Sequence, residues 1–385
     1  MSEAGFSLQP SEQMLLIRQT AREFAEKEMR PLVMKYDESQ EFPYEIAAKL
    51  GDLGFLGATF PEEFGGAGLT PLDFTVLVEE ISRVDPSVGL SVCAHNGLCT
   101  SHIFLFGSES QKKRYLPDLC SGKKLGGWGL TESSSGSDAG GMKTTGVKEG
   151  NGWVINGSKT FITHGSVGQT FVILAVTDKT RPHGISAFIV EKGMPGFSVG
   201  KKENKLGMRA SDTASLSFDG LRLPAENLIG KEGDGFKQAL QVLDGGRIGI
   251  AALSVGLAQG ALDASVQYAK ERRQFGKSLS EFQGIQFKLA DMAMEIEGAR
   301  LLTRRAAFLK DQRKDFTAAA ARAKYFASEV ATRAANEAVQ IHGGYGFIKD
   351  FQVEKFYRDV KLLTIGEGTS EVQKMVIARS LINDQ

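Results

Sequence analysis

Two changes of hydrophobic period, near residue 126 and again near residue 235, constrain this 385-residue chain more than any other feature. Before the first, apolar residues recur at helical spacing. Met14, Ile17, Ala21, Phe24 and Ala25 mark one face of a helix that begins after Ser11 and that Pro31 is expected to stop. VLVEEISRVDPSVG and GSESQKKRYLPDLCSG, each closed by proline or glycine, continue the helical series. Between the two changes the chain reads GWVING, FVILAV, ISAFIV and ASLSFDGLRLP, strand-like runs separated by turn signals. Asn151-Gly152 and Asn156-Gly157 are expected as tight turns. Beyond the second change come long helices, over 236–271, through Ile285, Leu289, Met292 and Ile296, and from Phe316 towards Ile341. A last helix follows Glu367, with Ser370 and Gln373 at capping-box spacing. Four such helices make a bundle. The expected fold is mainly α with an inserted β domain: an N-terminal helical domain over 1–123, a middle β domain over 124–234 and a C-terminal four-helix bundle over 235–385.

Charge and composition narrow the function. Lysine plus arginine equals aspartate plus glutamate, 46 each, so the basic excess of a nucleic-acid or membrane-surface protein is missing. Cys93, Cys99 and Cys120 follow no metal-ligand or CxxC spacing, and no metal site is expected. Residues 1–13 resemble neither a secretory signal nor a transit peptide, and no apolar run approaches bilayer-spanning length. The expected location is a reducing cytoplasm.

Several sites for chemistry fall away on inspection. There is no GxGxxG, no P-loop and no HExxH. A di-iron bundle needs Glu-x-x-His pairs, and none of the five histidines has a glutamate three residues before it. What remains is KLLTIGEGTSEVQKM, in which Glu367 lies between Gly366 and Gly368 just before a helix. Flanking glycines admit a ligand close to the backbone, and the free N–H groups of a helix start favour anionic groups. A carboxylate in an apolar pocket beside such a start is a candidate general base. A surface turn with a solvated first-turn carboxylate accounts for the same letters. LTESSSGSDAGG, 130–141, fits a ligand loop or a plain connection. In ERRQFGKSLSEFQ, 271–283, the arginines fit a pyrophosphate contact or a helix cap.

Taken together and in order, these stretches resemble the acyl-CoA dehydrogenase family of flavoproteins, and the likeness runs essentially end to end. LTESSSGSDAGG is similar to the family's flavin loop and GSKTFITHG to its next flavin-contacting strand. ERRQFGKSLSEFQ, QIHGGYGF and YRDVKLLTIGEGTSEVQKMVIAR match its C-terminal motifs. The nearest flavour is the short-chain, butyryl-CoA type. The resemblance implies a barrel-like middle domain and FAD held between it and the bundle. Trp128, Gly129, Leu130, Thr131, Glu132, Ser137, Phe161, Ile162, Thr163, Thr369, Ser370 and Glu371 would contact the flavin. Arg272, Gln283, Gln340, Ile341, His342, Gly343 and Gly344 would contact the FAD of a neighbouring subunit, which implies a homotetramer, a dimer of dimers. Ser137, Asp244, Arg247 and Gly368 would contact the acyl-CoA. Glu367 would remove the pro-R α-proton as the β-hydride moves to flavin N5. The product would be a trans-2-enoyl-CoA, with electrons passing to electron transfer flavoprotein.

The same implication gives the glycines a purpose. A thioester α-proton is too weak an acid for a free carboxylate in water, so donors must hold the oxygen on which enolate charge develops. In the family these include the backbone N–H of the base residue, and burial strengthens the carboxylate as a base. The chain departs from the family pattern at three places. Gly366 stands where tyrosine is frequent, which is expected to widen the pocket towards branched or cyclic acyl groups. Phe161 stands where tryptophan is frequent, and Ser133 to Ser135 alter the flavin loop. Relatives that carry the base on the long helix place it just before an arginine, and here that residue is Gly246. Acyl-CoA oxidase chemistry and a catalytically silent flavin-binding protein are the competing readings on this fold; the chain length favours a dehydrogenase over the oxidase and the presence of Glu367 argues against silence. His95 and Leu98 are candidates for the pocket floor, with a core or capping role the alternative for His95.

Overall fold

The computed structural model describes residues 9–383, so the first eight of the residues read for a targeting signal lie outside the described residues. The first helices are α1 (Glu12–Phe24), α2 (Val33–Ser39), α3 (Tyr44–Asp52), α4 (Pro71–Val84), α5 (Pro86–Ala94), α6 (Ser101–Phe106) and α7 (Glu109–Cys120). Ser11 caps α1 by accepting from the Met14 N–H, and Met14, Ile17, Ala21 and Phe24 are its buried face. Pro31 does not stop the helical path. It lies in a 3-10 turn, Arg30–Leu32, that leads directly into α2. Proline is tolerated there because the first N–H groups of a turn have no partner to lose. A reciprocal capping box between Thr70 and Asp73 starts α4, whose residues are buried on nearly every side.

The strands are β1 (Gly126–Gly129), β2 (Thr145–Glu149), β3 (Gly152–Thr163), β4 (Thr170–Asp178), β5 (Gly184–Glu191), β6 (Phe197–Lys202), β7 (Thr213–Pro224) and β8 (Leu228–Ile229). They form one eight-stranded sheet in the order β6-β7-β3-β2-β4-β5-β8, with β1 parallel to β4. FVILAV is continuously apolar because β4 is buried on both faces. Phe171, Ile173 and Ala175 enter a core with Trp153, Ile155 and Phe188, whereas Val172 and Leu174 join Ile103, Leu116 and Leu119 of the helical domain. Asn151-Gly152 sits at the β2–β3 turn. Asn156-Gly157 is not a turn: it lies inside β3, where the register against β7 slips between Ile155 and Gly157. Gly157 has φ 141° there, and a Cβ would press on Thr144. The dipeptide that signals a hairpin also supplies the conformation of a bulge.

The C-terminal part comprises α8 (Gly235–Glu271), the short pair β9 (Arg273–Gln274) and β10 (Lys277–Ser278), α9 (Gln283–Asp311), α10 (Thr317–His342), α11 (Val353–Asp359) and α12 (Ser370–Asn383). α8 packs on α9 and α10 and also on α4 and α5 of the first domain. Contrary to the sequence expectation, α8 does reach the length and mean hydropathy of a membrane-crossing helix, yet 78% of that window is buried within the protein. Its glycines follow from close crossings. Cβ atoms at Gly256 and Gly260 would overlap the Glu79 and Arg83 carbonyls of α4.

One buried ionic group ties the three parts together beneath the C-terminal loop. Lys355 of α11 is fully buried and donates to Asp85 at 2.8 Å, to Ser87 at 3.3 Å and to Asp359 at 2.5 Å. Asp359 also accepts from the Met208 N–H, and Arg358 forks onto Asp37. Burial opposes the Lys355 charge, but its two carboxylates outweigh that and hold its pKa above the usual lysine value. Lys355→Met strands two buried carboxylates and is expected to cost about 3–5 kcal/mol. Urea unfolding of the variant checks this, and an unchanged midpoint contradicts it.

Candidate active site

Glu367 closes the loop between α11 and α12. Its φ is 53°, a left-handed conformation rare for residues other than glycine, and Gly368 follows at 93°. The residue is partly exposed, but its Oε2 is buried and has no hydrogen-bond partner. Burial raises the carboxyl pKa to about 7, against the opposing pull of Lys324 and Arg247. No acceptor meets the Glu367 N–H among the described residues. That leaves a strained backbone, an unpartnered carboxylate and a free amide donor at one point.

The wall facing this carboxylate is α8. A Cβ at Gly246 would overlap Oε2 of Glu367, so the carboxylate occupies the volume a side chain there would fill. A base at 246 and a base at 367 therefore compete for one space. Gly249, a turn further on, faces the Cys93 sulfur of α5, and Gly97 lies against Gly246. Arg247 donates to Asp244 at 2.5 Å, Thr317 donates to the other Asp244 oxygen at 3.0 Å, and the Arg247 Nε is buried without a partner. The structure thus gathers Glu367, Gly368, Asp244 and Arg247.

Thr369, Ser370 and Glu371 start α12, but not as a Ser370–Gln373 capping box. The Val372 N–H donates to the Thr369 hydroxyl, and the Ser370 hydroxyl donates to Glu329. Gln373 turns back and donates to the carbonyls of Glu367 and Gly368. Bracing the strained loop takes precedence over capping.

A second group surrounds β1 and β3. The Thr160 N–H donates to the Thr131 carbonyl and joins the loop to the strand. Phe161 is 65% exposed at φ 58°, at a register shift between Lys159 and Ile162. A bulge that turns a phenylalanine ring outwards leaves an apolar face for a planar ligand. Ile162 points into the sheet core, Thr163 ends the strand, and Ser137 is exposed on the loop. Other side chains of this group are engaged internally. Trp128 donates its indole N–H to His102, and Leu130 is buried. Glu132 accepts from Lys159 and from the N–H groups of Lys143 and Thr144. The side chains of Trp128, Leu130 and Glu132 are therefore committed within the protein. In the serine-rich turn, Glu132 and Ser135 exchange backbone hydrogen bonds and the Ser135 hydroxyl donates to Asp138.

A third group lines a cavity of about 560 Å³: Arg272, Ile341, His342, Gly343 and Gly344, with Tyr268 and Tyr345. The Arg272 guanidinium lies over Tyr345, while His342 stacks on Tyr268 and donates to the Ala338 carbonyl. Gln340 and Gln283 are exposed and do not line it. An arginine, exposed glycine backbone and aromatic rings suit a nucleotide diphosphate, so the residues present fit FAD. His95 is a core histidine: its Nε2 donates to the Leu119 carbonyl and its Nδ1 accepts from the Gly126 N–H. Leu98 packs at the edge of the core. Sequence reasoning missed Lys324, fully buried on α10 with its ammonium 2.7 Å from the Gly368 carbonyl. The available signal was a lysine on a buried face of small residues, Ala320, Ala323, Ala327, Ser328 and Ala331.

Comparison with known proteins gives the family. Residues 11–123, 127–221 and 233–382 match the N-terminal, middle and C-terminal domains of acyl-CoA dehydrogenase, respectively. The chain is 51% identical over 364 residues to a short-chain specific acyl-CoA dehydrogenase of Clostridium acetobutylicum, covering 94% of this chain and 96% of that one. Butyryl-CoA dehydrogenase from Megasphaera elsdenii superposes with a TM-score of 0.96 at 44% identity, over 98% of this chain and all of that one. A chain from the structural study of the electron transferring flavoprotein of Acidaminococcus fermentans gives 0.97 at 48% identity, with the same coverage. Three domains in order, at these identities and over nearly the whole length, place the chain in the acyl-CoA dehydrogenase family of FAD-dependent oxidoreductases.

Proposed function

We propose that this enzyme oxidises the Cα–Cβ bond of a short-chain acyl-CoA to a trans-2-enoyl-CoA, with Glu367 as the base that takes the α-proton. The observation that carries this is the buried, unpartnered Glu367 carboxylate, held at positive φ with its pKa raised to about 7. A base of that pKa is half ionised at neutral pH and strong enough to share in a difficult proton transfer. The free Glu367 N–H is placed to donate to the thioester oxygen as enolate charge develops. Asp244, Arg247, Gly368 and Ser137 are assigned to the acyl-CoA. FAD, when bound, accepts the hydride that leaves Cβ. Its isoalloxazine is assigned to residues 128–132 and to Ser137, Phe161, Ile162, Thr163, Thr369, Ser370 and Glu371. The FAD of a neighbouring subunit is assigned to Arg272, Gln283 and 340–344.

Domain limits of 1–123, 124–234 and 235–385 accompany this reading. So does a homotetramer, supported by Phe275 and Phe347, 95% and 86% exposed near the Arg272 cavity. Electron transfer flavoprotein is the proposed acceptor, in keeping with the Acidaminococcus neighbour. Three free, buried cysteines suit a reducing cytoplasm.

Gly366 bears on the acyl group. The three atoms nearest to a Cβ there all belong to Leu362, at 3.6–3.8 Å, so a side chain at this position would start without overlap and glycine is not imposed by packing. Anaerobic mixing of the holoenzyme with butyryl-, isobutyryl-, isovaleryl- and cyclohexanecarbonyl-CoA tests the reading. Butyryl-CoA is expected to bleach the flavin fastest, with measurable bleaching by at least one branched substrate. Bleaching by none of the four contradicts the proposed function.

A further inference from the structure

The strained loop that carries Glu367 is held from one side by a buried cation. Lys324 is fully buried in the alanine face of α10, and its Nζ donates to the Gly368 carbonyl at 2.7 Å. That carbonyl also accepts from Gln373 at 2.9 Å, and Gln373 reaches the Glu367 carbonyl at 3.3 Å. Both carbonyls on the C-terminal side of the base are therefore tied down. This fixes the two peptide planes at which the chain turns through φ 53° and 93°. A lysine is costly to bury for one neutral hydrogen bond, which an uncharged side chain supplies as well.

The surrounding charges show where the ammonium acts. Burial lowers the Lys324 pKa to about 8; Glu367, Glu329 on its own helix and Glu371 on α12 oppose that shift, and Arg247 on α8 adds to it. Glu367 in turn faces Lys324, Arg247 and the Cys93 thiol of α5. Arg247 is already paired with Asp244, and Glu329 accepts from Ser370. Among the described residues Lys324 makes no ion pair within 4 Å, so its charge is not spent on a closer carboxylate.

We propose that Lys324 is a positioning residue for the base: it clamps the Gly368 carbonyl next to Glu367 and so aims the carboxylate, bringing a cation into the same apolar pocket. The inference rests on Glu367 being the base and deepens that reading. Without the ammonium, burial acts on Glu367 with only the paired Arg247 to oppose it. The carboxylate then ionises at higher pH, and the loop that aims it loosens.

The test is single-turnover reduction of the flavin in the holoenzyme by butyryl-CoA between pH 5.5 and 9.5. Wild type is expected to rise with pH through a midpoint near 7. Lys324→Gln keeps a donor for the carbonyl but no charge, and its midpoint is expected to move up by about one pH unit. Lys324→Met removes both, and its plateau is expected to fall roughly ten- to hundredfold as well. Lys324→Arg keeps the charge and is expected to keep the wild-type midpoint. A wild-type midpoint in both neutral variants reduces Lys324 to a structural tie and overturns the proposal. Should neither neutral variant fold, the coupling is read from the other side, by NMR titration of the Lys324 ammonium in holoenzyme and in Glu367→Gln. A lower Lys324 pKa in Glu367→Gln supports the proposal, and an unchanged one overturns it. Failure of the base assignment itself looks different: Glu367→Gln then bleaches at the wild-type rate.

Discussion

Replacing Glu367 by glutamine is expected to leave a folded, yellow protein whose flavin is reduced by butyryl-CoA roughly 10²- to 10⁴-fold more slowly. Glutamine has the same shape and keeps the backbone N–H, so substrate binding is expected to change little. Only the acceptor of the α-proton is gone. Stability moves the other way, and the sign follows from the raised pKa. A carboxyl whose folded pKa is about 7, against an ordinary value of 4.5, favours the folded state fully at pH below 4.5 and loses that contribution as pH rises through 7. At pH 8 the native enzyme therefore buries a costly charge that Glu367→Gln lacks. The variant is expected to unfold at a higher temperature than wild type at pH 8 and at nearly the same temperature at pH 4.5. Wild-type flavin reduction by the variant contradicts the assignment. An unaltered unfolding temperature at pH 8 contradicts the burial of the charge.

Gly246→Ala is expected to separate activity from folding more sharply than any other single change. The added methyl lands on Oε2 of Glu367, the far end of a flexible side chain, rather than on backbone. Folding is expected to tolerate it, at about the 1–3 kcal/mol of an overpacked core or less. Catalysis is not, because a base displaced by about 1 Å loses on the order of 10²-fold. Rapid-mixing flavin reduction and thermal unfolding of the same preparation check both halves. A variant as fast as wild type means that the carboxylate does not use the space above Gly246 during turnover. Glycines at 256 and 260 offer the contrast: alanine there meets carbonyls of α4, and the loss is expected in stability first.

The period changes near residues 126 and 235 revealed the helical, β and helical succession because burial acts on side chains in the rhythm of the backbone. α8, expected over 236–271, spans Gly235–Glu271, and the run FVILAV lies within the doubly buried β4. Local signals failed where a distant contact outbid them. Pro31 reads as a stop but is absorbed in a 3-10 turn, because the continuing helix is held by its buried face. Asn156-Gly157 reads as a hairpin, yet the strand runs on through a bulge against β7. Ser370 and Gln373 have capping spacing, but Glu329 takes the hydroxyl and the strained carbonyls take the amide.

At the site, Glu367 and its glycines were legible because a carboxylate between two glycines before a helix is hard to explain by folding alone. The residues that aim it were less so. Gly246 shows its purpose only once α8 lies against the C-terminal loop, more than a hundred residues away in sequence. Lys324 was passed over because a single lysine in an alanine-rich helix reads as a solvent-facing residue. Trp128 and Glu132 were expected at the flavin, but the structure commits the indole to His102 and the carboxylate to Lys159. Which way each side chain points there is decided by partners from other elements.

The central claim is that this chain removes a proton and a hydride from adjacent carbons of an acyl-CoA. Its most direct test is an anaerobic titration of the purified holoenzyme with butyryl-CoA, following flavin absorbance and the acyl-CoA product together. Loss of the oxidised flavin band, with at most one crotonyl-CoA formed for each flavin reduced, is the result expected here. A protein that carries flavin but keeps its oxidised spectrum under excess butyryl-CoA and the branched analogues, and forms no enoyl-CoA, would contradict it.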